Sequence, residues 1–279
     1  MLEAPRAPIR RLVWATDVHL NFLEAGGLDG FCVALARHEP DAVLLTGDIA
    51  EAPTVVPLLA LMAAELKTPI YFVLGNHDFY RGSIARVREA VTDLSRRSAW
   101  LAWLPAAGVV PLGRDAALIG VDGWADGRLG DYLRSPVMLN DYVLIADLAG
   151  LDRAARLEQL HQLADAEAAR LADLLAEALP RHRRVIVATH VPPFKEACWH
   201  EGKISNDDWL PHFSSRAVGE VLRRAASEHP ACTLRVLCGH THGAGTAQIL
   251  PNLRVVTGGA EYGEPRVQGV IELEGGGRG

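Results

Sequence analysis

The sequence predicts an α/β fold, in which short buried strands alternate with helices and polar residues follow the strand ends. Five apolar runs of similar length are each followed by turn residues, a pattern typical of buried strands in an α/β sheet. The segments between the first runs have helical spacing, so the first hundred residues indicate consecutive βα units. The five runs cover residues 12–16, 42–46, 70–74, 185–189 and 234–238.

Helices are expected wherever apolar residues recur every three or four positions. The clearest case has leucines repeating at this spacing and ends before Pro180, which cannot continue a helix. A sixth strand is expected at 116–121, and three short strands at 246–250, 253–257 and 266–273 predict a meander that returns across the sheet. The predicted helices cover residues 27–38, 53–67, 81–97 and 151–179.

Length and composition favour one soluble domain spanning residues 1–279. The chain has 279 residues, 49% of them hydrophobic and 22% charged, and its apolar stretches fall short of the ~20 residues needed to span a bilayer. The apolar run near the N-terminus is also shorter than the ~7 to 15 residues of a signal-peptide core, so we expect a cytoplasmic protein without membrane association. Irregular insertions are expected at about 122–150 and 192–215.

The net charge narrows the possible binding partners. A formal net charge of −6 argues against a stable nucleic-acid partner, because phosphate backbones are bound by concentrated Lys and Arg. A small phosphate-ester substrate remains compatible with that charge, since bound metal ions dominate the potential inside a site.

The four cysteines are widely spaced without a C-x-x-C pair, which predicts reduced, buried thiols.

Each of the five runs leads into side chains that can bind a metal ion. Carboxylate and amide oxygens together with several imidazoles suit Mn, Fe or Zn better than Ca or Mg. Seven ligands exceed what one open catalytic ion needs but fit two ions about 3.5 to 4 Å apart that share a bridging carboxylate. Two such ions hold a hydroxide for in-line attack on phosphorus. The candidate ligands are Asp17, His19, Asp48, Asn76, His190, His240 and His242.

His77 is predicted to be catalytic rather than a ligand. Its neighbour Asn76 already serves as a ligand, which leaves His77 free to protonate the leaving alkoxide or to stabilise the phosphoryl oxygens. A histidine in such a role needs a carboxylate to fix its tautomer and orientation, and Glu51 and Asp78 are both candidates.

With these motifs the sequence resembles the calcineurin-like metallophosphoesterases. The matching blocks are TDVHL at 16–20, GDIAE at 47–51, GNHD at 75–78, TH at 189–190 and GHTH at 239–242. The resemblance implies a four-layer αββα sandwich with two central mixed β-sheets flanked by helices and a metal site at the C-terminal strand ends. It also implies one ion held by Asp17, His19, Asp48 and His242, and a second held by Asp48, Asn76, His190 and His240.

One departure from the family pattern bears on the substrate. The protein phosphatase branch carries GDxxDRG and GNHE, whereas this chain has GDIAE and GNHD, which resembles the phosphodiesterase and small-molecule branch. We therefore expect a phosphodiesterase acting on a small or nucleotide-like substrate. The alternatives are a small-molecule phosphomonoesterase, a nuclease acting on single-stranded ends, and a non-catalytic scaffold on the same fold. In the second insertion, Trp199, His200 and Lys203 are candidates for substrate contact.

Overall fold

The computed structural model describes residues 9–273, in which strands form two large mixed sheets. The first sheet is parallel except for one edge strand, which comes from the end of the described chain and pairs antiparallel with its neighbour. In spatial order its strands are β13 (Val267–Glu272), β1 (Arg11–Ala15), β2 (Ala42–Thr46), β3 (Ile70–Val73) and β4 (Leu101–Trp103).

The second sheet has a parallel centre and an antiparallel strand at each edge. In spatial order its strands are β11 (Gly245–Leu250), β12 (Leu253–Thr257), β10 (Thr233–Cys238), β7 (Arg184–Ala188), β6 (Ala116–Gly120) and β5 (Val110–Pro111). A separate two-stranded hairpin consists of β8 (Trp199–His200) and β9 (Lys203–Ile204).

Helices cover the outer faces of both sheets. The longest begins after Asp152, whose side chain accepts a hydrogen bond from the Ala155 amide and so caps the first turn. The helices are α1 (Gly27–Ala36), α2 (Val55–Leu66), α3 (Ile84–Arg97), α4 (Leu104–Ala107), α5 (Asp141–Leu144), α6 (Arg153–Ala178), α7 (Leu210–Phe213) and α8 (Arg216–Glu228).

Three apolar layers separate the helices and sheets. One lies between the first sheet and the helices α1, α2 and α3, and another lies between the second sheet and the helices α6 and α8. The third joins the two sheets directly and includes Trp14, Leu44, Ile186 and Leu237. This arrangement confirms the predicted α/β class with two mixed sheets flanked by helices.

The predicted C-terminal meander is wrong in its last strand. β11 and β12 pair with each other in the second sheet, whereas β13 crosses to the first sheet and pairs with β1. The sequence shows three short strands with turns between them, but it does not show which sheet the last one joins. In residues 9–273, none of the helices has the length and hydropathy that a membrane crossing requires.

Candidate metal centre

Five strands deliver all seven predicted ligands to one place. β1, β2 and β3 of the first sheet end just before the carboxylate, amide and first imidazole ligands, and β7 and β10 of the second sheet end just before the other histidines. The carboxyl ends of parallel strands meet at one edge of a sheet, and here two such edges face each other. His190 Nδ1 lies 2.9 Å from the carbonyl oxygen of Thr46, which joins the two sheets at this point.

Four of the seven form one compact group. One ligand atom from each of Asp17, His19, Asp48 and His242 lies within 4.8 Å of the others. The Nε2 atoms of His19 and His242 are 3.2 Å apart, and His242 Nε2 is 3.5 Å from Asp17 Oδ1. Two imidazole nitrogens that face each other beside two carboxylates match the donor set of a divalent ion.

A second group converges on the side-chain oxygen of Asn76. His190 Nε2 lies 3.0 Å and His240 Nδ1 lies 2.9 Å from Asn76 Oδ1. His190 Nε2 is also 3.3 Å from Asp48 Oδ1, while the other Asp48 oxygen faces His19 Nε2 at 3.9 Å. Asp48 is therefore shared, with one oxygen toward each group.

Backbone carbonyls fix which nitrogen of two histidines faces the centre. His190 Nδ1 donates to the Thr46 carbonyl, and His240 Nε2 donates to the His212 carbonyl at 2.9 Å. Their remaining nitrogens, Nε2 of His190 and Nδ1 of His240, then point at Asn76 with free lone pairs when the rings are neutral. Such outer hydrogen bonds are the usual way of orienting metal-ligating histidines.

Five of the seven residues have left-handed backbone conformations. The φ angles are 49° at Asp17, 42° at His19, 50° at Asp48, 70° at His240 and 57° at His242. This region is uncommon for residues other than glycine, and such strain concentrates at functional sites. The tight turns carry the side chains from the strand ends straight into the centre.

Two glycines leave room for this convergence. Gly47, where the sequence predicts a sharp turn before Asp48, has a φ of 88°, and a Cβ there would lie 2.5 Å from His190 Nδ1. A Cβ on Gly239 would lie 1.9 Å from Asp17 Oδ2. Larger residues at either position would displace a candidate ligand.

The buried histidines of the centre differ in pKa, because burial and the nearby carboxylates act on them to different degrees. Burial lowers the pKa of His19 and of His240 to about 3, so both rings are neutral at physiological pH and able to donate a lone pair. Burial also disfavours a charge on His190, but the carboxylates of Asp48 and Asp17 outweigh it and raise its pKa to about 10. Burial opposes ionisation of Asp48 too, yet the surrounding histidines hold its pKa well below the usual value. The residues present thus fit divalent ions, whose charge would balance these carboxylates.

His77 lies beside the centre without joining either group. Its backbone amide donates to Asp48 Oδ1 at 2.8 Å, and its Nε2 is 3.9 Å from Asp48 Oδ2. The ring stacks on Tyr80, and its Nδ1 is buried without a hydrogen-bond partner in the described structure. The position leaves Nε2 facing the centre, as a group acting on substrate requires.

The two carboxylates predicted to support His77 have other partners. Glu51 forms an ion pair with Arg81. Asp78 accepts hydrogen bonds from the amides of Ile49, Ala50 and Gly75 and so ties together the turns after β2 and β3. None of the hydrogen bonds found in residues 9–273 joins either carboxylate to His77, and their catalytic role stays a prediction.

The family model of calcineurin-like phosphoesterases matches residues 10–244, a segment that contains every residue of the centre. The chain belongs to the calcineurin-like phosphoesterase family. This membership confirms the prediction of a metallophosphoesterase, and the buried cluster of aspartates and histidines implies divalent metal ions. No curated protein matches the chain in sequence with significance.

Solved structures share this phosphoesterase fold over most of their length. A phosphopantetheinyl hydrolase from Mycobacterium tuberculosis superposes with a TM-score of 0.61 at 15% identity, covering 90% of this chain and 89% of that one. A dimetal phosphatase from Danio rerio superposes with a TM-score of 0.56 at 14% identity, covering 90% and 87%. The anchor protein GAP50 of the Plasmodium inner membrane complex reaches 0.50 at 12% identity, covering 91% and 72%. At these identities the likeness concerns the fold.

This phosphoesterase also has a cavity that the sequence does not reveal. A space of about 330 Å³ opens beside Asn76, His240 and His242. Its remaining wall is largely apolar or aromatic and combines both insertions with a C-terminal loop. These wall residues include Tyr80, Met138, Leu139, Phe213 and Tyr262.

The insertions contribute unequally to this cavity. His200 lines it, whereas Trp199 lines a different depression and Lys203 is exposed on the hairpin, and their contact with substrate stays a prediction. Asp141 also lines it and bonds to Asn76, although no motif marks that residue in the sequence. Only a carboxylate in a turn-rich segment was visible, which is too common a feature to single out.

Proposed function

We propose that this phosphoesterase hydrolyses phosphodiesters of small or nucleotide-like alcohols with two divalent metal ions. The observation that carries the proposal is the pair of ligand groups that share Asp48. Asp17, His19, Asp48 and His242 would hold one ion, and Asp48, Asn76, His190 and His240 would hold the other. When bound, the two ions stabilise charge on phosphoryl oxygens and lower the pKa of water toward neutrality.

The side chains around the ions supply position and proton transfer. His77 protonates the departing alkoxide or stabilises the phosphoryl oxygens through Nε2, which faces the shared carboxylate of Asp48 at 3.9 Å. Tyr80 packs against the face of His77 and limits its rotation. Tyr262 lies over His19 with a ring-centroid distance of 4.5 Å and covers one side of the reaction site.

The cavity beside the ligands favours a diester over a monoester. A diester carries a second alcohol that needs its own space, and the cavity of about 330 Å³ adjoins the ligand group around Asn76. Neither Lys nor Arg is among the described residues that line it. A monoester dianion gains more from such cations than a diester monoanion does.

The donor set favours Mn, Fe or Zn as the native ions. Four of the seven candidate ligands are imidazoles, whereas hard ions such as Ca and Mg prefer sites made of oxygen. A small phosphate ester in the cytoplasm is the proposed substrate. A nucleic-acid partner is disfavoured by the net charge of −6.

Two other functions compete with this proposal. A small-molecule phosphomonoesterase would use the same ions and the same His77. A non-catalytic scaffold is favoured only by analogy with GAP50, which is described as an anchor. The complete ligand set argues against a scaffold, because a protein used only for contacts has no need to keep a strained cluster of buried ligands.

The decisive experiment compares esters on protein stripped of metal and reconstituted with Mn. The panel contains bis(p-nitrophenyl) phosphate, p-nitrophenyl phosphate and a phosphopantetheinyl ester, the last chosen from the name of the Mycobacterium tuberculosis neighbour. We expect metal-dependent turnover with a higher kcat/KM for the diester. A higher kcat/KM for the monoester would replace the diesterase with a monoesterase, and metal binding without turnover of any ester would favour the scaffold.

A further inference from the structure

The amide of Asn76 is held by a carboxylate from the first insertion. Asn76 Nδ2 donates to Asp141 Oδ1 at 2.8 Å, while its oxygen faces His190 and His240. We propose that Asp141 is a positioning residue that turns the oxygen of Asn76 toward the second metal ion. This inference rests on the proposed two-ion function, but it concerns ion binding and not the choice of ester.

The chemistry of the two groups gives this contact a direction. The two ends of a side-chain amide are nearly equal in size, so only hydrogen bonding decides which end faces the centre. Asp141 Oδ1 accepts the hydrogen bond, so it binds the NH₂ end of Asn76 and leaves the amide oxygen free. Asp141 Oδ1 also accepts from the Tyr80 hydroxyl at 2.6 Å, which holds the carboxylate in place.

The same insertion supports a second ligand of that ion. The carbonyl of His212 accepts from His240, and the His212 ring is itself held from both sides. Its Nδ1 contacts the hydroxyl of Tyr142, the residue next to Asp141, and its Nε2 lies 3.0 Å from the hydroxyl of Ser135. Residues 122–150 therefore support Asn76 by a direct hydrogen bond, and they support His240 through hydrogen bonds to His212.

The ligands of the first ion lack this support. Within residues 9–273, no side-chain hydrogen bond joins the segment 122–150 to Asp17, His19, Asp48 or His242. A change at Asp141 should therefore lower the affinity for the second ion and leave the affinity for the first ion unchanged. A general loss of folding would lower the affinity for both ions.

The test measures metal binding by Asp141→Asn in the full chain. The new amide has nearly the size of the carboxylate but can present an N–H to Asn76, so the Asn76 amide can reverse. We expect the first Mn ion to bind as in wild type, and the apparent Kd of the second to rise about 10- to 100-fold by calorimetry, as is usual when a group behind a ligand is removed. Asp131→Asn, in the same insertion but away from the candidate ligands, is the matched control.

A compensating double variant separates orientation from structural damage. In Asn76→Asp combined with Asp141→Asn, the ligand becomes a carboxylate that offers an oxygen from either end and needs no orienting. We expect this double variant to regain much of the wild-type affinity for the second ion. If Asp141→Asn destabilises the fold and the double variant recovers neither stability nor the second ion, Asp141 is structural and the inference is wrong.

Other outcomes are equally distinct. Two Mn ions bound with wild-type affinities by Asp141→Asn would overturn the inference, and a fall in kcat with both ions bound would instead make Asp141 a partner of His77. If wild type binds two ions but hydrolyses no ester, the proposed function fails while this inference stands. If wild type binds fewer than two ions, both fail.

Discussion

The rings of His77 and Tyr80 stack with centroids 4.2 Å apart and planes 28° from parallel. This contact, together with the hydrogen bond from the His77 amide to Asp48, fixes His77 beside the candidate ligands without making it one of them. A histidine held in this way can act on substrate while the metal ions stay bound.

Replacing His77 with alanine should therefore separate catalysis from metal binding. We expect His77→Ala to bind two Mn ions normally and to lose about 10²- to 10⁴-fold in kcat, the usual contribution of a positioned acid or base. Metal content and diester hydrolysis are measured on the same samples, with His38→Ala, an exposed histidine, as control. Full activity of His77→Ala on several esters would show that the role assigned to His77 is wrong.

Replacing Asp48 should remove both ions together. Its two oxygens face different ligand groups, so Asp48→Asn removes a charged oxygen from each group. We expect neither ion to be retained after gel filtration and turnover to fall to background, measured by elemental analysis and diester hydrolysis. Glu220→Gln, which removes an exposed carboxylate paired with Arg216, should behave as wild type. Retention of one tightly bound ion by Asp48→Asn would contradict the shared position.

Adding one methyl group at Gly239 should disturb Asp17. The new Cβ would lie 1.9 Å from Asp17 Oδ2, so the carboxylate has to move and the first ion loses a ligand. We expect Gly239→Ala to bind Mn more weakly and to be destabilised by about 1 to 3 kcal/mol in urea unfolding. Gly30→Ala, in helix α1 with open space around it, should be neutral or stabilising by up to about 1 kcal/mol. Equal effects of the two substitutions would count against the close approach.

A positive charge at the cavity mouth should change the preferred alcohol. Met138 lines the cavity and is 60% exposed, so Met138→Lys should fold normally. We expect kcat/KM to rise about fivefold for diesters with an additional negative charge on the alcohol, since an exposed charge pair contributes about 1 kcal/mol. Leu133→Lys, in the same insertion and 67% exposed but outside the cavity wall, is the control. The alcohol does not occupy this cavity if both variants keep the wild-type preference.

Glu167 should make stability depend on pH. Burial raises its pKa, Asp122 adds to this and Arg88 opposes it, which leaves the pKa at about 7 against an ordinary value of 4.5. Because the folded state binds the proton more tightly, this group contributes stability below pH 4.5 that is lost as the pH rises through about 7. We expect wild type to lose on the order of 2 kcal/mol relative to Glu167→Gln across that range, in urea unfolding. Parallel pH profiles for the two proteins would contradict the shift.

Much of the architecture was predictable because its signals are local. The periodicity that marks the helix ending before Pro180 and the apolar runs that mark β1, β2 and β3 depend on neighbouring residues. The polar residues that follow these runs are expected at one edge of the sheet, since the carboxyl ends of parallel strands lie together. β13 was placed in the wrong sheet because pairing partners are not encoded locally. The three-residue strand β4 was not predicted, nor was the helix α8, although α8 buries Val218, Leu222 and Ala225 at helical spacing.

The sequence by itself determined the strand and helix pattern, the five motif blocks, and through them the family and the candidate ligands. Only the tertiary structure decided that Asp141 holds Asn76 across 65 positions, that Glu51 pairs with Arg81, and that a cavity opens beside the centre. The reason is physical. Periodic burial leaves a trace along the chain, whereas a contact made by an irregular insertion depends on where distant segments pack and leaves none.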